Sequence, residues 1–159
     1  MRERLLSFGD DYVIRDEAGA ERFYVDGKVF AIGDKLSFQD MQGNELARIR
    51  QRLIALGKTY NFEKDGHTTV IHKHLFTFLS CKFSVDVPGP NDLEAKGNLI
   101  DMEYAFIDTR GHRVAEVSKR WFRLSDTYGV DIATGQDDVL ILACAVVIDL
   151  CCHADKKHR

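Results

Sequence analysis

The chain has 159 residues, 45% of them hydrophobic and 30% charged, with a net charge of −3. That balance suits one soluble globular domain and argues against a nucleic-acid binder working through overall charge. The stretch Met1–Asp10 is charged and lacks the apolar core of a secretory signal, so the expected compartment is the cytoplasm, with peripheral membrane attachment compatible with local basic patches.

From Tyr12 onward, short apolar-rich runs alternate with turn residues. Strands are expected at Tyr12–Arg15, Arg22–Val25, Lys28–Ile32, Lys35–Phe38, Leu46–Arg50 and Gly57–Phe62. They continue at Thr68–Lys73, Leu79–Val87, Leu93–Gly97, Met102–Ile107, Arg113–Ser118 and Thr127–Ile132. About twelve short strands at this spacing point to an all-β barrel. Asp-x-x-Gly recurs at Asp16–Gly19, Asp40–Gly43 and Asp108–Gly111. In each, Asp bonds nearby backbone and Gly takes the positive-φ position. Asp26-Gly27 and Asp65-Gly66 are two-residue hairpin signals. Pro88–Asp92 is the clearest loop.

Leu36–Phe62 also matches Tyr104–Val130 at an offset of 68 residues. Phe38 pairs with Phe106, Asp40 with Asp108, Gly43 with Gly111, Arg52 with Arg120, and Thr59-Tyr60 with Thr127-Tyr128. The pattern reads as two copies of one β-meander in a single domain over residues 1–159. The units span about 10–87 and 93–132, with their seam at Pro88–Asp92. Two copies are too few for a solenoid.

The last fifth of the chain changes character. Asp137-Asp138 precede an unbroken apolar run from Val139 to Ile148, followed by Asp149, Leu150 and Cys151-Cys152. A helix over about 136–153, capped by Asp137 or Asp138, would be apolar on every side and must be surrounded. Ten residues fall short of the ~20 needed to span a bilayer, so protein surrounds it. The fold class is therefore mainly β: a closed barrel enclosing a central hydrophobic C-terminal helix. Burying ten such side chains contributes on the order of 15–20 kcal/mol gross, so the barrel should not be stable without its helix. Ala143 and Ala145 allow strands to approach closely, and the charged tail from Asp155 is expected to fray. Cys81 and Cys144 read as small buried hydrophobes, and the vicinal pair Cys151-Cys152 is ill-suited to a relaxed disulfide. No C-x-x-C spacing signals a zinc or redox site.

Three segments carry a family resemblance: Val114–Phe122, Asp126–Ile132, and Asp137–Ala143 leading to Val146–Asp149. Together with the Asp-x-x-Gly turns and the Leu36–Phe62 copy, they closely resemble the LURP-one-related family. That family falls in the tubby C-terminal-like superfamily, alongside the phospholipid scramblases. The resemblance implies a twelve-stranded barrel around a central helix. Of function it implies less. Tubby-type domains bind phosphoinositide head groups through basic residues on the barrel face. Scramblases are linked to lipid movement but carry acylated cysteines and a terminal membrane helix. Plant LURP-one-related proteins are associated with defence. No residue here matches a tubby phosphoinositide motif closely enough to inherit a role.

The candidate ligand-binding residues are basic. Arg48, Arg50 and Arg52 alternate, so in a strand they share one outward face. Lys58 is placed nearby on the next strand, and Lys119-Arg120 is the repeat counterpart. Arginine suits a bidentate anionic head group or phosphate. Outward charges also keep strands soluble, and Glu45, Glu116 and Asp126 stand ready to neutralise the patch. Trp121-Phe122, matched by Leu53-Ile54, reads as packing. His72 and His74 share a strand face, but no third ligand at a diagnostic spacing makes them a metal site. No nucleophile elbow or phosphate-cradling loop occurs. Asp149 is expected where the helix leaves the barrel; if buried, it should meet an Arg or a Tyr hydroxyl as a structural anchor. The resulting expectation is a non-enzymatic soluble module without cofactor or metal. Its ligand would be an anionic lipid head group or another phosphorylated small molecule. The alternative is a protein-interaction scaffold or homodimer with no lipid ligand.

Overall fold

The computed structural model describes residues 2–8, 11–26, 35–52, 58–76, 80–119 and 127–157, of which 2–8, 35, 75–76, 80–81 and 153–157 are described by backbone alone. The first strands are β1 (Arg2–Phe8), β2 (Asp11–Arg15), β3 (Glu21–Asp26), β4 (Lys35–Asp40), β5 (Glu45–Arg52) and β6 (Lys58–Lys64). They are followed by β7 (His67–Phe76), β8 (Ser80–Asp86), β9 (Leu93–Asn98), β10 (Glu103–Asp108), β11 (Arg113–Ser118), β12 (Thr127–Ile132) and the helix α1 (Asp138–Lys157). Strands β2 to β12 form one antiparallel sheet in chain order. β1 lies between its two ends, paired to β12 on one side and β2 on the other, so the strand order is that of a closed barrel.

The mainly β architecture with one C-terminal helix is the one expected. Alternation explains it: Tyr12 and Ile14, Leu36 and Phe38, Ala47 and Ile49, Phe83 and Val85 point inward and are buried. Their polar neighbours face out. The helix fills the interior, and Ile141 through Ile148 are at most 1% exposed. Among the described residues no helix is long and apolar enough to cross a membrane.

Two elements differ from expectation. β1 was not expected, because neither alternating face of Arg-Glu-Arg-Leu-Leu-Ser-Phe is consistently apolar. The helix runs to Lys157, beyond the expected end near His153; the charged tail puts cations at the negative end of the helix dipole. The expected strand Lys28–Ile32 lies outside the described residues, as do Leu53-Ile54 and Trp121-Phe122.

The three Asp-x-x-Gly turns are built alike. In each, the Asp N–H donates to the carbonyl four residues on, and the Gly N–H donates back to the Asp carbonyl. Asp40 and Asp108 also accept backbone N–H bonds two and four residues ahead. A register shift lies beside each turn, between Ile14/Arg15, Phe38/Gln39 and Phe106/Ile107 of the entering strand. This is the three-residue hairpin with a bulge. The repeat also gains a geometric meaning. β4–β6 matches β10–β12, six places on in a ring of twelve, so the copies stand on opposite walls. Equal six-strand halves divide at the Asp65-Gly66 turn; Pro88–Asp92, the expected seam, joins β8 to β9 within one half.

Candidate functional site

Four places collect polar chemistry. The first is the basic face of β5. Arg48, Arg50 and Arg52 do share the outer face, opposite Glu63, Asn61 and Thr59 of β6. Carboxylates already engage two of the three. Arg48 lies 2.6 Å from Glu45, which also accepts a 2.8 Å bond from Ser37, and Arg50 lies 3.9 Å from Glu63. Arg52 is exposed. Lys58 corrects the expectation. Thr59 is the partner of Arg52, so Lys58, one residue earlier, is on the inward face with Tyr60 and Phe62. Its strand partner is Lys73, a buried lysine that sequence reasoning missed. Lys119 is distant too. It follows β11, six strands from β5, where its N–H donates to Glu103. Arg120 lies outside the described residues. The five described basic residues therefore do not gather at one place.

The second place is the outer wall of β6–β8. His72 Nε2 lies 2.9 Å from Asp86 Oδ2, and its Nδ1 lies 3.4 Å from Thr59 Oγ1. His74 Nε2 lies 2.8 Å from Ser84 Oγ, and the two rings are 6.2 Å apart. Among the described residues, no three His, Cys, Asp or Glu side chains converge as metal ligands. Thr59, His72 and Asp86 resemble a nucleophile–base–acid chain. They stand on a strand wall with Thr59 only 3% exposed, which leaves an incoming substrate no approach.

The third place is a cleft of about 520 Å³ at the barrel mouth where the helix begins. Val87, Leu93, Val114, Leu140 and Ile141 line it with apolar surface. Asn91, Thr109, Arg110 and Gln136 add polar groups. Both lining carboxylates are occupied elsewhere. Asp137 caps the helix through Leu140 N–H at 3.1 Å and accepts from Lys64 Nζ at 2.7 Å. Asp108 accepts from Arg110 N, His112 N and the His112 ring, and the His112 N–H bond, foremost, holds its carboxyl below the ordinary value. Arg110 is the lining residue with a positive charge, and no carboxylate among the described residues pairs with it. The size fits a small organic molecule. No sequence motif marks it, because it is assembled from a loop, a turn and a helix start far apart in the chain.

The fourth place is inside the barrel. Asp149 is 3% exposed and accepts a 2.7 Å bond from Tyr12 Oη. It does not mark the helix exit, because Cys151 and Cys152 beyond it are buried too; the Tyr-anchor reading is the one observed. Tyr60 Oη lies 3.1 Å from Cys151 Sγ. Burial, and next the Asp149 charge, push the Tyr104 and Tyr128 phenols well above their ordinary pKa. Cys144, Cys151 and Cys152 are buried, and burial raises the Cys144 pKa.

Comparison with known proteins gives a consistent picture. The family model described as LURP-one-related matches residues 1–149. An uncharacterised Bacillus subtilis protein, YxjI, is 32% identical over 156 residues, covering 98% of this chain and 94% of that one. The X-ray structure of an Arabidopsis thaliana protein superposes with a TM-score of 0.71 at 15% identity, covering 94% of this chain and 90% of that one. At that identity the likeness speaks to the fold.

Proposed function

This chain belongs to the LURP-one-related family, and from that premise we propose that it is a non-enzymatic binding module whose ligand is a small organic anion with an apolar body. The reading keeps the anionic phosphate or carboxylate head expected from the sequence but moves it from the β5 face to the mouth cleft. One observation carries it: Arg110 brings a positive charge, without a carboxylate partner among the described residues, to an apolar-lined cleft whose own carboxylates are engaged. A guanidinium forks onto phosphate or carboxylate oxygens, and the apolar lining takes up hydrocarbon.

The test is titration calorimetry with octanoate, octyl phosphate and octanol, on the native chain and Arg110→Gln. The anions should bind, octanol should not, and affinity should fall with salt. Arg110→Gln should lose about tenfold or more, as a charge-assisted bond implies. Equal binding of octanol, or an unchanged Arg110→Gln, would remove the cleft reading. Arg52, exposed and without a carboxylate partner among the described residues, favours a second reading: peripheral attachment to an anionic membrane surface. Co-sedimentation with anionic and neutral vesicles, native against Arg48→Glu/Arg50→Glu, tests that separately. Silence in both assays would favour a protein partner.

A further inference from the structure

The unusual feature of the interior is its surplus of donors. Tyr104 and Tyr128 are 4% and 1% exposed, and neither phenol oxygen has a hydrogen-bond partner among the described residues. Buried hydroxyls are seldom left so. They stand on β10 and β12, and Tyr12, bonded to Asp149, stands on β2; these are alternate strands on one side of the barrel. Through Val117, Tyr104 is level with Val130, two residues from Tyr128, and through Leu5, Tyr128 is level with Ile14, two residues from Tyr12, so the three tyrosines occupy neighbouring rows of the sheet; the Asp149 charge raises both the Tyr104 and Tyr128 phenols, in keeping with that placement.

We infer that the barrel interior binds ordered water at this cluster, bridging the Tyr104 and Tyr128 hydroxyls to the Asp149 carboxylate. The donor and acceptor types select the occupant. Two phenols offer protons, and a carboxylate offers up to four acceptor positions, of which Tyr12 takes one. The bridging species must accept twice and donate at least once. Water does both. A metal cation accepts nothing and would leave both phenol protons unsatisfied. An anion would face the carboxylate at close range. A central polar knot of this kind also explains how an otherwise apolar helix tolerates an aspartate in its buried portion: the carboxylate is solvated from within.

The experiment is a crystal structure of the full chain at a resolution that shows ordered water, with Tyr104→Phe and Tyr128→Phe solved and melted alongside it. The native map should hold a peak within about 3.2 Å of both phenol oxygens and of Asp149. Each Phe variant should weaken or shift that peak and lower the melting temperature by about 2–8 °C. A native interior without such a peak, when other buried waters are visible, would overturn the inference. So would phenols bonded directly to Asp149, a peak with short cation-like distances, or Phe variants that melt at or above the native temperature.

Discussion

The tie between Tyr12 and Asp149 links the second strand to the last turns of the helix, 137 residues apart, by a 2.7 Å bond buried at both ends. Tyr12→Phe removes one hydroxyl and no volume worth counting. A buried bond of this kind is worth about 1–3 kcal/mol when one partner is deleted. Asp149→Leu removes the acceptor of the Tyr12 bond and the carboxylate proposed to anchor the bridging water, and should cost more, about 2–4 kcal/mol. Asp149→Asn retains an acceptor and should cost less than Asp149→Leu. The informative quantity is the coupling in Tyr12→Phe/Asp149→Leu. Once the carboxylate is gone, Tyr12→Phe should be nearly neutral, giving a coupling of about 1–3 kcal/mol. Urea unfolding followed by the far-ultraviolet β signal measures all four corners. Additivity within about 0.3 kcal/mol would refute the argument, because the contact would then carry no energy of its own and apolar packing alone would seat the helix.

Other expectations follow from the same contacts. Gly97 sits at φ +134°, where a Cβ would come within 2.6 Å of the Glu103 carbonyl and 2.8 Å of Tyr104 Cα, both backbone atoms; Gly97→Ala should lower stability by about 2–4 kcal/mol in urea unfolding. Asp137→Ala loses both the cap on Leu140 and the Lys64 bond and should cost about 1–3 kcal/mol, while Asp137→Asn should recover part of the cap term. The bond from the Asn44 side chain, first, holds the Asp40 carboxyl below its ordinary 3.8, and Asp108 is lowered likewise. Their contribution is therefore present above pH 3.8 and is lost as pH falls through the lowered values; Asp40→Asn/Asp108→Asn should flatten the acid limb of a stability–pH curve. Burial, then the bond to Asp11, pushes Tyr24 up to about 12, and Tyr104 and Tyr128 are raised as well. Stability from these phenols is present below pH 10 and is lost as pH climbs toward their folded values. Phenolate absorbance should show them titrating only above pH 10, together with unfolding.

Much of the fold was legible because its signals are local. The Asp-x-x-Gly turns need only an acceptor side chain and a residue tolerant of φ near +85°, and Gly19, Gly43 and Gly111 all adopt it. The helix announced itself by an unbroken apolar run as long as the longest strand and shorter than a membrane span. β1 was illegible for the opposite reason. It is a strand because both ends of the sheet offer it partners, at Arg4–Gly129 and Arg4–Arg15 among others, and nothing in Arg2–Phe8 states that. Tertiary pairing decided it.

The site failed on parity. Within β5 the period of two is secure, so Arg48, Arg50 and Arg52 were placed together correctly. Carrying that face across to β6 requires the number of residues in the connection to be known modulo two, because a shift of one reverses every side chain. Arg52 meets Thr59, which sends Lys58 inward to pair with Lys73. The repeat misled in the same way. An offset of 68 residues equates positions in the unit, and in a ring of twelve strands equivalent positions on β4–β6 and β10–β12 stand on opposite walls. Internal symmetry of this order therefore disperses like charges instead of concentrating them. The symmetry breaks most sharply at the mouth, where one helix enters beside the Asp108 turn and the Val87–Asp92 loop, and the proposed ligand cleft lies there.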